Sequence, residues 1–325
     1  MDLEDPRNLE LHDLNLNDDE EVENIMMRAP KRYFRDYQNP FEFYNDKEFK
    51  RRFRFFKNSL VFSDIITISQ PTISRIVLRV SILLASYINR YIKMPSSEES
   101  FAENKRLFKE LGRGNGGIGF PSIDGAIDCT HIRLTHTRLQ NIDEIYRNRK
   151  GYFSLNVQAI VGPRTEILDI VPEWPGSQHD SRIFQNSRIF MRYKQDQLDG
   201  MLVGDAGYPA LPFLLTPINN PTTDEEISYN IIHRTRIIVE RTFGIWKRRF
   251  PCLSKGLTTK LSTSTSIVVA CAVLHNLSLI FNDKLDEDDN EELEDINNEI
   301  PQIPPHWQPG EGFLVRTALI ERLFR

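Results

Sequence analysis

Cysteine is scarce in this chain of 325 residues, with three in all. Cys129, Cys252 and Cys271 form no Cys-x-x-Cys pair. That leaves out a disulfide framework and a cysteine-ligated structural zinc, and predicts a reducing interior as the working compartment. Long apolar runs are missing too. The longest, Ile267 to Phe281, carries His275 and Asn276 and reads as too short for a membrane span; the N-terminus is acidic where a leader would be basic and apolar. These absences predict a soluble intracellular protein with no membrane partner. Positive net charge is also lacking, the formal balance being −5. The acids, however, are unevenly placed. Residues 1–23 hold ten acids against Arg7 and 283–299 hold ten against Lys284, so each segment contributes −9 and the remainder carries +13. A basic body between two acidic tails, both expected to be disordered, favours a nucleic-acid partner.

Hydrophobic residues make up 40% of the chain, enough for a sizeable core in one large domain or two. Residues 1–27 show no helical or strand period and read as a disordered acidic arm. From Arg28 to Lys57 ten Lys and Arg stand against four acids, interleaved with aromatics. Asn45-Asp46 is a plausible cap for a helix with Phe49, Phe53 and Phe56 on one face and Lys50, Arg51, Arg52 and Arg54 on the other. Such a helix either packs on the body or meets DNA or an import receptor through Lys50–Lys57.

Ser69 can cap a helix opening near Pro71, with Ile73, Ile76, Val77 and Val80 inward and Thr72, Ser74 and Arg75 outward. It resembles the recognition half of a helix-turn-helix, but Asn58 to Asp64 is too short for the bracing helix. The spacing predicts further helix over Leu83–Tyr91, another from Pro95 through Leu111, and a glycine-rich linker over Gly112–Gly119. The organisation expected is an arm over 1–27, a basic helical region with a partial helix-turn-helix over 28–117, a sheet domain over 118–281, and an acidic linker with a C-terminal amphipathic helix over 282–325.

Beyond the linker the pattern turns to strands. Ala126-Ile-Asp128-Cys-Thr-His-Ile132 alternates so that Asp128 shares a face with Ala126, Thr130 and Ile132. After the basic turn Tyr146–Tyr152 come Phe153–Val161, with Phe153, Leu155 and Val157 alternating against Ser154, Asn156 and Gln158, and then Ile167–Val171. Met201-Leu-Val runs into Gly204-Asp205-Ala-Gly-Tyr-Pro209, a strand presenting a carboxylate at its C-terminal edge. One long loop later, Val239, Phe243, Trp246 and Phe250 form a helical stripe bordered by Glu240. Asp180 opens a helix after the third strand; with Ser177 it makes a capping-box pattern.

Asp128, Asp205 and Glu240, with Asp180 behind them, are thus candidate ligands of a hard divalent cation, because clustered carboxylates repel one another unless a cation sits among them. Each also has an ordinary reading: Asp205 as a turn residue, Glu240 paired with Arg236, Asp128 as a strand-end cap, Asp180 as a helix cap.

The order β-β-β-α-β-α, with acids on the first strand, the fourth strand and the closing helix, is similar to the ribonuclease-H-like fold of DDE transposases, an α/β mixed sheet flanked by helices. Ala-Ile-Asp128-Cys-Thr-His, Asn148-Arg-Lys-Gly, Trp174-Pro-Gly-Ser-x-x-Asp180, Gly204-Asp205-Ala-Gly-Tyr-Pro, Val239-Glu240-Arg-Thr-Phe-Gly and Leu274-His-Asn-Leu277 resemble the PIF/Harbinger transposase family and its domesticated animal nucleases. Ala206 stands where serine is commoner in that family. The resemblance covers about Ser59 to Phe281.

It implies a metal-dependent endonuclease of DNA with Asp128, Asp205 and Glu240 as catalytic acids and Asp128, Asp180, Asp205 and Glu240 as ligands of Mg²⁺ or Mn²⁺. Two ions about 3.5–4 Å apart would activate water and stabilise the leaving oxygen. His131, His179, Lys247, Arg248 and Arg249 would position backbone phosphate, although a structural hydrogen bond is the plainer role for the two histidines. The resemblance further implies a Myb/SANT-like partner and a location in nucleus and cytoplasm. A catalytically silent DNA-binding adaptor is the competing function.

Overall fold

The computed structural model describes residues 70–113, 118–135, 144–283 and 310–324. The acidic arm, the basic aromatic segment, the Asn58–Asp64 span and the linker 284–309 lie outside them.

Chain order gives α1 (Gln70–Ser86), α2 (Ile88–Tyr91), α3 (Glu98–Arg113), β1 (Ile123–Arg133), β2 (Ser154–Val161), β3 (Ile167–Pro175), α4 (Asp180–Gln185), α5 (Arg188–Lys194), β4 (Met201–Val203), β5 (Leu214–Leu215), α6 (Asp224–His233), α7 (Ile237–Arg249), α8 (Pro251–Lys255), α9 (Leu261–Ile280) and α10 (Glu311–Phe324). One mixed sheet carries the strands in the order β3-β2-β1-β4-β5. β1 and β3 run antiparallel to β2, while β4 is parallel to β1 and β5 to β4.

Two apolar layers cover the sheet. One joins Ala126, Ile132, Val157 and Val203 to Val239, Phe243 and Trp246 of α7, Val268 and Ala272 of α9, and Leu319 of α10. The other joins Ile127, Ile160 and Leu202 to Phe184, Ile189 and Tyr193. Because both faces are covered, every residue of β2 is buried, and the polar face that its alternation predicts, Ser154, Asn156 and Gln158, is inside. The stripe Val239, Phe243, Trp246 and Phe250 is buried as its spacing predicts.

Several expectations are corrected. The stretch read as a long loop before His233 contains β5 and α6, whose start is a capping box: Thr223 Oγ1 accepts from Glu226 N, and the Glu226 carboxylate accepts from Thr223 N. The third strand continues to Pro175. In α1, Val77 is 39% exposed while Ile76 and Val80 are half-buried, so the inward face is narrower than expected. The helix α9 runs for 20 residues and by length and composition could cross a membrane, against the expectation of too short a run; 61% of its apolar window is buried against α1, β3 and their neighbours. Asp283, counted with the acidic tail, is buried beside Arg249.

His275 and Asn276 interrupt that apolar helix for a structural reason. His275 Nε2 bonds Thr165 O at 2.7 Å. Asn276 Oδ1 accepts from Ile167 N at 2.9 Å, and its Nδ2 donates to Ile167 O and Tyr91 O at 2.7 Å each. One amide thereby satisfies the first residue of edge strand β3 and the end of α2.

Candidate metal centre

Register carries the first two acids toward one another. In the parallel pairing of β1 with β4, Ala126 lies opposite Val203, two residues before Asp128 and Asp205, and the charge of Asp205 acts on Asp128. Ala126 and Val203 share the apolar layer with Val239 of α7, the neighbour of Glu240. Asp128, Asp205 and the start of α7 therefore share one side of the sheet. Asp180 reaches the same edge from the other side, where its Oδ1 accepts from Asn156 Nδ2 at 2.9 Å. His179, not Ser177, is the N-cap of α4, and no capping box forms there.

Each acid has an orienting donor. Asp128 Oδ1 accepts from Cys129 N at 2.7 Å, and Asp205 Oδ1 from Gly207 N at 2.9 Å. Glu240 Oε1 takes Arg236 Nη1 at 2.6 Å. The ordinary readings of Asp205 as a turn residue and of Glu240 as an ion-pair partner are thus realised as contacts. Among the described residues, no group of three or more His, Cys, Asp or Glu side chains is placed so that it could hold an ion.

The electrostatics sets these acids apart from capping residues. Burial pushes the Asp128 carboxyl well above the usual range, and the charges of Asp205 and Asp180 push it further; the Cys129 N–H and Arg236 pull it back. Asp205 is raised by burial, then by Asp180 and more weakly by Glu240, against the Gly207 N–H and Arg236. Burial, with the neighbouring acids, outweighs the hydrogen bonds and leaves both carboxyls raised.

Around the acids the other candidates divide. His131 Nδ1 bonds Ser154 Oγ at 3.1 Å, and Ser154 Oγ in turn takes Asn148 Nδ2 at 3.1 Å, which ties the Asn148-Arg-Lys-Gly turn to β1. Burial lowers His131 against the charge of Asp180, and Lys247, then Lys150 and Arg149, lower it further. Arg149 and Lys150 are exposed on that turn, and Arg149 bonds the ring of His179.

Two cations expected at phosphate are instead committed inside. Lys247 Nζ donates to Thr130 Oγ1 at 2.6 Å and His131 O at 3.0 Å, and burial lowers its pKa to about 8. Arg249, 3% exposed, pairs with Asp283. Sequence reasoning passed over Asn156, which orients Asp180, and the contact of Cys129 Sγ with Tyr208 OH at 3.4 Å. A polar residue on an interior strand was the available signal for Asn156.

Residues 127–276, which include all four acids, match the family described as DDE superfamily endonuclease. Over 221 residues, 66% of the chain, it is 34% identical to the Homo sapiens protein named "Putative nuclease HARBI1" and 33% identical to the Bos taurus protein of that name. Over 255 residues, 73% of the chain, it is 26% identical to "Protein ALP1-like" of Arabidopsis thaliana. The chain spans 61% of the length of each of these relatives. No solved structure matches it. The six ordered strings, the sheet that carries them and these likenesses agree: residues 127–276 are similar to the DDE superfamily endonucleases, and the chain over 221 residues is similar to the Harbinger transposase-derived nucleases.

Proposed function

We propose that this chain is a divalent-metal-dependent endonuclease that hydrolyses DNA phosphodiester bonds, with Asp128, Asp205 and Glu240 as the catalytic acids and Asp180 as an accessory ligand. The observation that carries it is the parallel pairing of Ala126 with Val203, each two residues before its acid, in the apolar layer that also holds Val239 beside Glu240. The sheet order 3-2-1-4-5 with β2 antiparallel supports a ribonuclease-H-like reading of the fold.

Carboxylates that offer oxygen donors only are the ligand type that a hard cation such as Mg²⁺ or Mn²⁺ takes. When bound, such ions would polarise the phosphodiester and activate water. The chain's own part is orientation. Cys129 N–H and Gly207 N–H fix one oxygen each of Asp128 and Asp205, and Asn156 fixes Asp180. Arg149 and Lys150, on a turn pinned to β1, offer positive charge to a DNA backbone without reading its sequence.

The adaptor reading has one observation in its favour, the ion pair that engages Glu240. A Myb/SANT-like partner supplying sequence recognition, and residence in nucleus and cytoplasm, belong to the proposal. The test is nicking of supercoiled plasmid by the full chain with Mg²⁺ or Mn²⁺. Metal-dependent nicking that disappears in Asp205→Ala is expected; DNA binding with no cleavage under either metal would leave the adaptor.

A further inference from the structure

Arg236 ends the 3-10 turn Arg234–Arg236 and stands at the N-cap of α7, one helical turn before Glu240. Its side chain is 17% exposed, that of Glu240 34%, and the two meet at 2.6 Å. The reach of this guanidinium goes beyond its partner, since its charge also acts on Asp128 and on Asp205, opposing what burial and the neighbouring acids do there. One fixed positive charge therefore serves three of the four acids. Among the described residues no three acidic, histidine or cysteine side chains are grouped so that they could hold an ion, and Glu240 is turned to Arg236.

We propose that Arg236 is the resident counter-ion of the carboxylate site, and that a divalent cation enters by taking Glu240 from it. This rests on the metal reading above. An ordinary i,i+4 pair on a helix stabilises only weakly and has no bearing on what else the acid binds. A counter-ion behaves differently. It competes with the cation for the same oxygen and repels it from the same space, so its removal tightens metal binding, whereas removal of a merely structural pair leaves metal binding unchanged or weakens it.

The experiment titrates the full chain, without DNA, with Mn²⁺ alone, reading bound Mn²⁺ by calorimetry and by electron paramagnetic resonance. Arg236→Gln is expected to bind about tenfold more tightly than the unaltered chain, equivalent to about 1.4 kcal/mol. Arg236→Lys, which keeps the charge but loses the fork, should fall between them and serves if the Gln variant does not fold without metal. Asp205→Asn should lose the binding in either background. Unchanged or weaker binding in both Arg236 variants, with Asp205-dependent binding in the unaltered chain, overturns the counter-ion and leaves the metal site standing. Absence of any Asp205-dependent Mn²⁺ binding in all of them overturns both.

Discussion

Asp124 and Asp128 lie four residues apart on β1, and burial raises both carboxyls. Asp124 is fully buried, with a cation and a hydroxyl close by and Asp199 as its acidic neighbour. Tyr193 Oη donates to its Oδ2 at 3.0 Å, Lys105 Nζ stands 3.7 Å from Oδ1, and the backbone of Gly200 approaches so closely that any Cβ there would lie 2.2–2.3 Å from the carboxyl group. Asp128 has acids for neighbours, with one N–H and a more distant guanidinium against them. The same residue type on the same strand is neutralised at one end and left in conflict at the other. Burial is common to both; what separates a structural carboxylate from a candidate ligand is the sign of its surroundings.

The largest effect should come from the conflicted end. Asp128→Asn and Asp205→Ala are expected to lower metal-dependent plasmid nicking by about 10³-fold or more. Neither should lower thermal stability in the absence of metal, because each removes a repelling charge. A melting temperature that falls in both would place these acids with Asp124 and erase the contrast.

Next in size is the neutralised end. Asp124→Ala leaves the buried Tyr193 hydroxyl without its acceptor, while Lys105 keeps Asp199, and is expected to cost about 2 kcal/mol in urea unfolding. Mn²⁺ affinity of the folded fraction should not change. A variant that unfolds no more easily than the unaltered chain would mean that Asp124 is not holding β1 to its surroundings.

The pH dependence separates the two kinds of buried group. Burial lowers His275 and His233 to about 4. The unfolded chain binds their protons near pH 6.5 and the folded one does not, so their contribution is complete above pH 6.5 and is lost as pH falls toward 4. At pH 5 the loss is about 2 kcal/mol for each. The raised carboxyls of Asp128 and Asp205 act in the opposite sense, their repulsion costing more as pH rises. Comparing unfolding at pH 7 and pH 5, His275→Gln should flatten the acid loss by that amount. An unaltered slope would assign the acid sensitivity elsewhere.

The smallest effect concerns charge at long range. Removing residues 1–23 deletes a net −9. Binding to a random DNA duplex should tighten a few-fold at low salt, and the gain should shrink as salt screens it. A gain that persists at high salt would point to a contact other than charge.

Much of the local structure around the candidate acids was legible because it announces itself in short stretches. Asp205 ends an apolar run between glycines, Asp128 sits in a clear alternation, and the stripe Val239, Phe243, Trp246 and Phe250 has helical spacing. Pairing was not legible in the same way. The two-residue β5 has no period to read, although Thr223 with Glu226 did mark the start of α6. Lys247 lies on a helix full of charge, and only the tertiary fold turns its ammonium toward Thr130. Asp283 reads as the first residue of an acidic run until Arg249 is found beside it.

The amide of Asn276 has a consequence for synthesis. It joins residues 91, 167 and 276, and α9 packs along α1. The first helix of the described chain and the last long one must therefore meet before the edge of the sheet is satisfied. On a ribosome, β1 to β3 emerge well before their outer rung exists, and they wait with an open edge until about residue 280 has cleared the exit tunnel. A nascent chain stopped short of α9 should be readily digested by protease, and one extended past it should be resistant. The sheet domain is completed from its C-terminal end, by a side chain that closes a contact across 185 residues.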